Sequence, residues 1–346
     1  MKNTFLLFPL CFLFALSCNT AKKPEAAAHT VATQNPTQNI QTIAFGSCNK
    51  ANKPQDIWAA ILQNQPDLWV WLGDNIYGDT EDMELMKAKY DRQKGHAEYQ
   101  ALLKACPVVG IWDDHDYGAN DAGKEYGPKK ESKALMLDFL DVPKEAPVRK
   151  REGAYQAYTF GSGAQKVKLL LLDARYFRDN LEPTKSGKPR YYPNKKGDIL
   201  GDAQWRWLES ELRANEAAVH IICSGIQILP EEHMFEKWAN FPIARGGLLK
   251  MLALLKPNRP VLLSGDRHIG EISVMNTNNG LLTEITSSGL THSYEAASGE
   301  ANRYRKGDLV SQRNFGLLRI DWTKTPIQLT AELRGLDNVL YEKFEF

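Results

Sequence analysis

Asp113, Asp114, His115 and Asp116 stand in four consecutive positions of "VVGIWDDHDYGAND", directly after a short apolar run. Ionised carboxylates this close repel one another unless a positive charge compensates them. Metal-competent groups recur after other apolar runs: Cys48 in "FGSCNK", Asp74 and Tyr77 in "WLGDNIYGD", Asp266 and His268 in "LLSGDRH". Carboxylates suit hard cations such as Ca²⁺ or Mg²⁺. A thiolate, a phenolate and an imidazole suit a transition metal. Cys48, Tyr77 and His268 on one side, with Asp114 and Asp266 on the other, therefore specify a mixed centre that Asp74 is placed to bridge. Two cations about 3.5–4 Å apart clamp both oxygens in phosphate ester cleavage. Each motif alone is weak, since GD after an apolar run is common and a lone Cys is ordinarily core. The ordered set GDxxY, DDHD and GDxH carries the reading.

These residues need a scaffold that brings the ends of several strands together. Apolar runs at 42–46, 67–72, 108–112, 168–174, 219–224 and 260–265 read as strands buried on both faces. Helical patterns lie between them in "PQDIWAAILQN", "DMELMKAKYDRQKGHAEYQALLKA" and "DAQWRWLESELRANE". The later stretches "EISVMN", "LLTEITSS", "FGLLRIDW", "IQLTAELRG" and "VLYEKFEF" read as strands with no helices between. The expected fold is an α/β core of two packed mixed sheets with outer helices. Loops beyond the carboxyl ends of such strands converge on the ligand site. Cations among the carboxylates then supply the missing positive charge.

Composition bounds the partners. The 346 residues are 43% hydrophobic and 25% charged, as in a soluble globular protein. A formal net charge of +1 lacks the basic footprint of a nucleic-acid binder. At the N-terminus, Lys2 precedes "FLLFPLCFLFAL", too short for a membrane span and suited to a secretory leader. "ALSC" resembles a bacterial lipobox, with Cys18 as the lipidated first residue of the mature chain. Residues 1–17 are expected to be the leader, 18–40 a flexible polar tether and 41–346 one catalytic domain. The expected product is an exported, monomeric protein of the bacterial envelope, lipid-anchored on the periplasmic or outer side. Cys48, Cys106 and Cys223 then form an odd set, which marks one as a free or ligating thiol. Cys106 and Cys223, beside apolar strand residues, read as buried small hydrophobes.

The stretches "FGSCNK", "PDLWVWLGDNIYGD", "VVGIWDDHDYGAND", "LLLLDARYFRD", "ILGDAQWRWLESEL" and "LLSGDRHIGE" resemble the alkaline phosphatase D (PhoD-like) family, a branch of the calcineurin-like metallophosphatases. The resemblance spans roughly 42–275. It implies a four-layer α/β/β/α sandwich with the active site between two sheets, and Fe³⁺ with Ca²⁺ as cofactors. It further implies that Cys48, Tyr77 and His268 ligate iron, that Asp74 bridges, and that Asp114 and Asp266 bind calcium. His115 takes the position of a substrate-facing histidine. Asp173 and Arg175 in "LDARYFRD" fall on a family motif, with Arg175 either touching phosphate or pairing with Asp173. Many members carry a β-sandwich domain before the catalytic one and some a capping C-terminal helix. Here a tether and a strand-like "VLYEKFEF" stand there, so a more open site is expected.

The implied activity is phosphate ester hydrolysis, with a hydroxide generated at the metals attacking phosphorus in line. Phosphomonoesterases and phosphodiesterases, phospholipid-cleaving ones included, share this architecture. A surface lipoprotein that kept the metals without catalysis is the alternative. His115 beside the ligands favours the enzyme, since a purely structural site has no need of it.

Overall fold

The computed structural model describes residue 1 and residues 39–346, apart from 215 and 298. The leader, Cys11, Cys18 and nearly all of the tether lie outside the described residues. The fold has taken up the chain by Ile40, which is buried and whose carbonyl accepts a hydrogen bond from Trp322 Nε1 (2.8 Å).

In chain order, the first half holds β1 (Thr42–Gly46), α1 (Ile57–Gln63), β2 (Leu68–Leu72), α2 (Met83–Gly95), α3 (Ala97–Ala105), β3 (Val108–Ile111), α4 (Asp114–Tyr117), α5 (Lys129–Phe139), α6 (Pro147–Lys150), β4 (Gln156–Phe160) and β5 (Val167–Leu171). The second half holds β6 (Glu182–Pro183), β7 (Tyr191–Tyr192), α7 (Gly201–Arg213), β8 (Val219–Ser224), α8 (Pro242–Leu255), β9 (Pro260–Ser264), β10 (Gly270–Thr277), β11 (Gly280–Ser287), β12 (Arg305–Val310), β13 (Phe315–Asp321), β14 (Gln328–Arg334) and β15 (Leu340–Glu345). One sheet has the order β15-β14-β13-β1-β2-β3 and the other β12-β10-β11-β9-β8-β5-β4. In the first, β1, β2 and β3 are parallel and β13 to β15 antiparallel. In the second, β5, β8, β9 and β11 are parallel. The protein is thus an α/β fold of two mixed sheets flanked by helices, as the sequence leads one to expect.

The apolar runs explain the layering. Leu169, Leu171, Ile221, Cys223, Val261 and Leu263 join one buried cluster, shared with the first sheet. Their alternating neighbours Leu170, Leu172, Ile222 and Leu262 join a second, closed by Leu208 and Leu212 of α7 and Leu248 of α8. A period of two thus sorts each strand between its sheet partner and its helices. In β2, Trp69 and Trp71 turn to the helices, meeting Trp58 of α1 edge-on at 5.0 and 5.4 Å between centroids. Such pairs add about 0.5–1.5 kcal/mol each beyond area burial.

Differences from the sequence reading have local causes. The long pattern after Asp82 is two helices, broken at His96, whose extended backbone (ψ 129°) caps one and starts the next. Strands β4 and β12 and the β6–β7 hairpin lacked long apolar runs to announce them. Cys106 and Cys223 are buried and unpaired.

Candidate metal centre

The parallel strands of both sheets end on one rim. Cys48 lies two residues beyond β1 and Asp74 two beyond β2; the acid run follows β3, and Asp266 and His268 follow β9. The backbone turns sharply at four of these residues, with φ of 59° at Cys48, 49° at Asp74, 69° at Asp266 and 56° at His268. The left-handed region costs a residue bearing a Cβ about 1–2 kcal/mol, and Asp and His tolerate it better than most. At Cys48 no such tolerance applies, so the surrounding packing imposes it, as at many functional sites. The glycine before each aspartate lets the loops touch. A Cβ on Gly73, itself at φ 95°, would lie 2.3 Å from Asp113 Cβ. One on Gly265 would lie 2.5 Å from the Leu72 carbonyl oxygen.

The side chains converge. Cys48 Sγ lies 3.4 Å from Asp74 Oδ2 and 3.5 Å from Ser288 Oγ. Tyr77 Oη lies 2.9 Å from His268 Nε2 and 3.0 Å from His292 Nε2. Cys48, Asp74 and His268 bring donor atoms within 4.8 Å of one another, as do Asp74, Asp114 and His115, and Asp113, Asp114 and Asp266. Asp74 therefore belongs both to a set with sulfur and nitrogen and to a set rich in oxygen. The His115 ring lies 4.1 Å from that of Tyr77, and its Nδ1 is 2.6 Å from Asp79 Oδ1. An ionised carboxylate can only accept, so Nδ1 carries the hydrogen of that bond.

Electrostatics leaves this cluster short of positive charge. Burial, then the charges of Asp114 and Asp113, push the Asp74 carboxyl well above its usual range. Burial and then the same two acids do so for Asp266. Burial pushes Asp116 up to about 8. Its two oxygens accept the backbone N–H groups of Asp113, Asp74 and Asn75, so it organises the loops from behind. Burial also pushes the Cys48 thiol up, followed by the Asp74 charge. At Asp114 burial acts upward, but the Arg175 and His115 charges hold the carboxyl below its usual range. Asp113 Oδ2 is buried without a hydrogen-bond partner. Orphaned acceptors of this kind are rare and costly. Cations held by these residues would supply the missing positive charge beside the orphan and favour the ionised forms of these acids and of Cys48. The donor set therefore fits metal ions, with oxygen donors and softer donors segregated about Asp74.

The sequence profile of the PhoD-like phosphatases matches residues 43–329. This chain belongs to that family. Comparison with curated proteins finds no match. Among solved structures it is similar to PhoD at 17% identity, covering 92% of this chain and 70% of that one with a TM-score of 0.70. It is similar to GAP50, the anchor in the inner membrane complex of Plasmodium (12% identity, 89% of each chain, TM-score 0.58). A dimetal phosphatase from Danio rerio matches at 14% identity over 89% of this chain and 99% of that one, with a TM-score of 0.55. At such identities the likeness is one of fold. The family match and the clustered Asp, His and Cys donors make this PhoD-like protein a phosphoric ester hydrolase with a metal-dependent phosphatase/phosphodiesterase architecture.

Arg175 departs from both expected roles. It is fully buried, with Nε 2.7 Å from Asp113 Oδ1 and Nη1 2.6 Å from Glu236 Oε2. Its guanidinium is thus engaged by two buried carboxylates, and it is not among the residues that line the cleft at the centre. Asp173 does not pair with its guanidinium either. Its carboxylate accepts the Arg175 backbone N–H (2.9 Å), Trp112 Nε1 (2.8 Å) and the Ala154 N–H (2.7 Å). Three residues of this PhoD-like centre escaped the sequence reading. Asp79 closes the same "GDNIYGD" segment that supplied Asp74 and Tyr77. His292 follows β11, and because β11 runs parallel to β9 its end opens on the same rim. Glu236 sits in no motif.

Proposed function

We propose that this PhoD-like protein hydrolyses small phosphate esters at a mixed Fe³⁺–Ca²⁺ centre. In this reading Cys48, Tyr77 and His268 hold iron, Asp114 and Asp266 hold calcium, and Asp74 serves both. The observation that carries it is the place of Asp74: one oxygen 3.4 Å from a cysteine sulfur, in a carboxylate that also groups with Asp114 and His115. When bound, such cations neutralise phosphoryl charge and acidify a water. The chain supplies the rest. His115, held at Nδ1 by Asp79, keeps its other ring nitrogen for the proton that the leaving oxygen needs. Asp116 and Arg175 fix the backbone and the carboxylates around it. Burial acts downward on His115, but the Asp79 bond and the Asp114 charge leave its pKa raised, as suits a proton donor.

Turnover of p-nitrophenyl phosphate and bis-p-nitrophenyl phosphate tests the hydrolase. Exhaustive calcium removal should abolish it, and added Ca²⁺, not Zn²⁺, should restore it. Full activity in protein shown calcium-free by elemental analysis would refute the calcium assignment.

An exported bacterial phosphatase is the setting, and lipid anchoring at Cys18 with a 41–346 catalytic domain extends that reading. Among the described residues no helix is long and apolar enough to cross a membrane. On the lipobox reading, Cys18→Ala should move the protein from the membrane fraction to the soluble one; identical fractionation of variant and parent would rule the anchor out.

A further inference from the structure

Beyond the metal donors, the centre opens into a cleft of about 510 Å³. Its lining holds Asp114, His115, Asp266 and His268, and also Lys188, Arg190, Arg267, Phe235 and Tyr294, with the acids Asp121 and Glu236. We propose that the basic and aromatic part of this lining is a second anion subsite, which selects phosphate esters whose alcohol carries a further phosphate group. The inference rests on the hydrolase reading of the centre and names its substrate class.

The cations are built in by the fold. Arg190 enters from the β6–β7 hairpin, where its N–H donates to the Met234 carbonyl (3.0 Å) and ties the hairpin to the cleft wall. Tyr191 beside it donates to the Asp121 carboxylate. The Arg190 and Arg267 guanidinium groups pack on the same ring, 4.7 and 4.3 Å from the Phe235 centroid. Tyr294 meets Phe235 edge-on at 5.9 Å. Two like charges held on one phenyl group repel, and an anion bound beside them would relieve that repulsion.

Counter-charge in the cleft is incomplete. Arg267 pairs with Glu300 (2.5 Å) and Arg190 lies 4.0 Å from Asp121. Lys188 forms no ion pair among the described residues. Arg267 sits between two proposed ligands yet pairs with neither, and its side chain is only 3% exposed. Its Nε is buried without a hydrogen-bond partner. A buried guanidinium donor left unmade is costly, and an anionic oxygen is its strongest partner. Charge along the hairpin adds to this: between 182 and 196 stand Lys185, Lys188, Arg190, Lys195 and Lys196 against Glu182 alone. On a chain that is nearly neutral overall, this puts positive potential at the lip of the phosphoryl-transfer site.

The test compares kcat/KM of the full metal-loaded protein for glucose 1,6-bisphosphate, glucose 6-phosphate and p-nitrophenyl phosphate. The bisphosphate should be favoured about 10-fold or more over the monophosphate, the scale of one or two charge-assisted contacts. Lys188→Gln/Arg190→Gln should erase most of that preference and leave p-nitrophenyl phosphate within about twofold, since neither residue touches the centre. Lys195→Gln/Lys196→Gln removes the same charge outside the cleft and should retain the preference. A parent that does not discriminate, or equal losses on all three substrates, overturns the subsite while leaving the hydrolase standing. A parent inert toward p-nitrophenyl phosphate overturns the hydrolase instead. Calorimetric titration with the two glucose phosphates then reads the subsite alone: tighter binding of the bisphosphate supports it and equal binding refutes it.

Discussion

With iron in the centre as proposed, replacing Cys48 with Ser should bleach the protein, strip most of that iron and lower kcat by about 10²-fold or more, with the fold retained. A thiolate and a phenolate on ferric iron give charge-transfer absorption, so the parent should be visibly coloured. The geometry makes Cys48 the residue to test. Its sulfur is fully buried, faces Asp74 Oδ2 at 3.4 Å, and sits on a backbone at φ 59° that no property of cysteine explains. Serine preserves size and the contact with Ser288 but removes the soft donor. Loss of a charge-stabilising ion costs several kcal/mol, and each 1.4 kcal/mol is about tenfold in rate. Cys106→Ser and Cys223→Ser are the controls. Both thiols are buried in the core, and neither joins a cluster of metal-competent donors among the described residues, so neither is placed to ligate. A Cys48→Ser protein with unchanged metal content, spectrum and rate would return Cys48 to the status of a core thiol.

How much was legible beforehand differs between scaffold and centre. Strands at 42–46 and 219–224 stand where their continuous apolar runs place them, because a strand buried on both faces has to be apolar throughout. The residues after those runs meet at one rim for the same reason: parallel strands end together. Strand direction was harder. The run "LLTEITSS" reads as one of a helix-free series of strands, which leaves its direction open; β11 pairs antiparallel to β10 and parallel to β9. That pairing carries His292 to Tyr77, and no local pattern announces it. The Arg175–Asp113 pair joins residues 62 positions apart on different sheets, a contact set by sheet packing. Hairpin residues Lys188 and Arg190 lie in a polar, Pro- and Gly-containing segment whose only readable property is charge. Residue types thus point to the chemistry, and the pairing of strands decides which distant side chains support it.

Arg175→Met should lower stability by about 3–5 kcal/mol, the cost of leaving buried charge unpaired. For a chain of this size that is about a 5–8 °C fall in melting temperature. Arg175 is fully buried between Asp113 and Glu236. Burial pushes Asp113 up to about 6 and Glu236 up to about 7, even with the guanidinium pulling both the other way. Without it, Asp113 is stranded in a dry interior and Glu236 keeps only Arg178, whose Nε lies 3.0 Å from its Oε1. The pair need not stabilise the fold relative to apolar residues of the same volume; what costs is removing one member. Adding Asp113→Asn to Arg175→Met should therefore recover part of the lost stability, a coupling that a double-mutant cycle measures. Metal-stripped protein should lose more than loaded protein, because a cation held by the neighbouring Asp114 and Asp266 would share the compensation of Asp113. A substrate-touching Arg175 would give the opposite pattern: an unchanged melting temperature, a raised KM and no rescue by Asp113→Asn. That outcome would move Arg175 from behind the carboxylates to the face of the cleft and undo the assignment of its charge to holding the acids together.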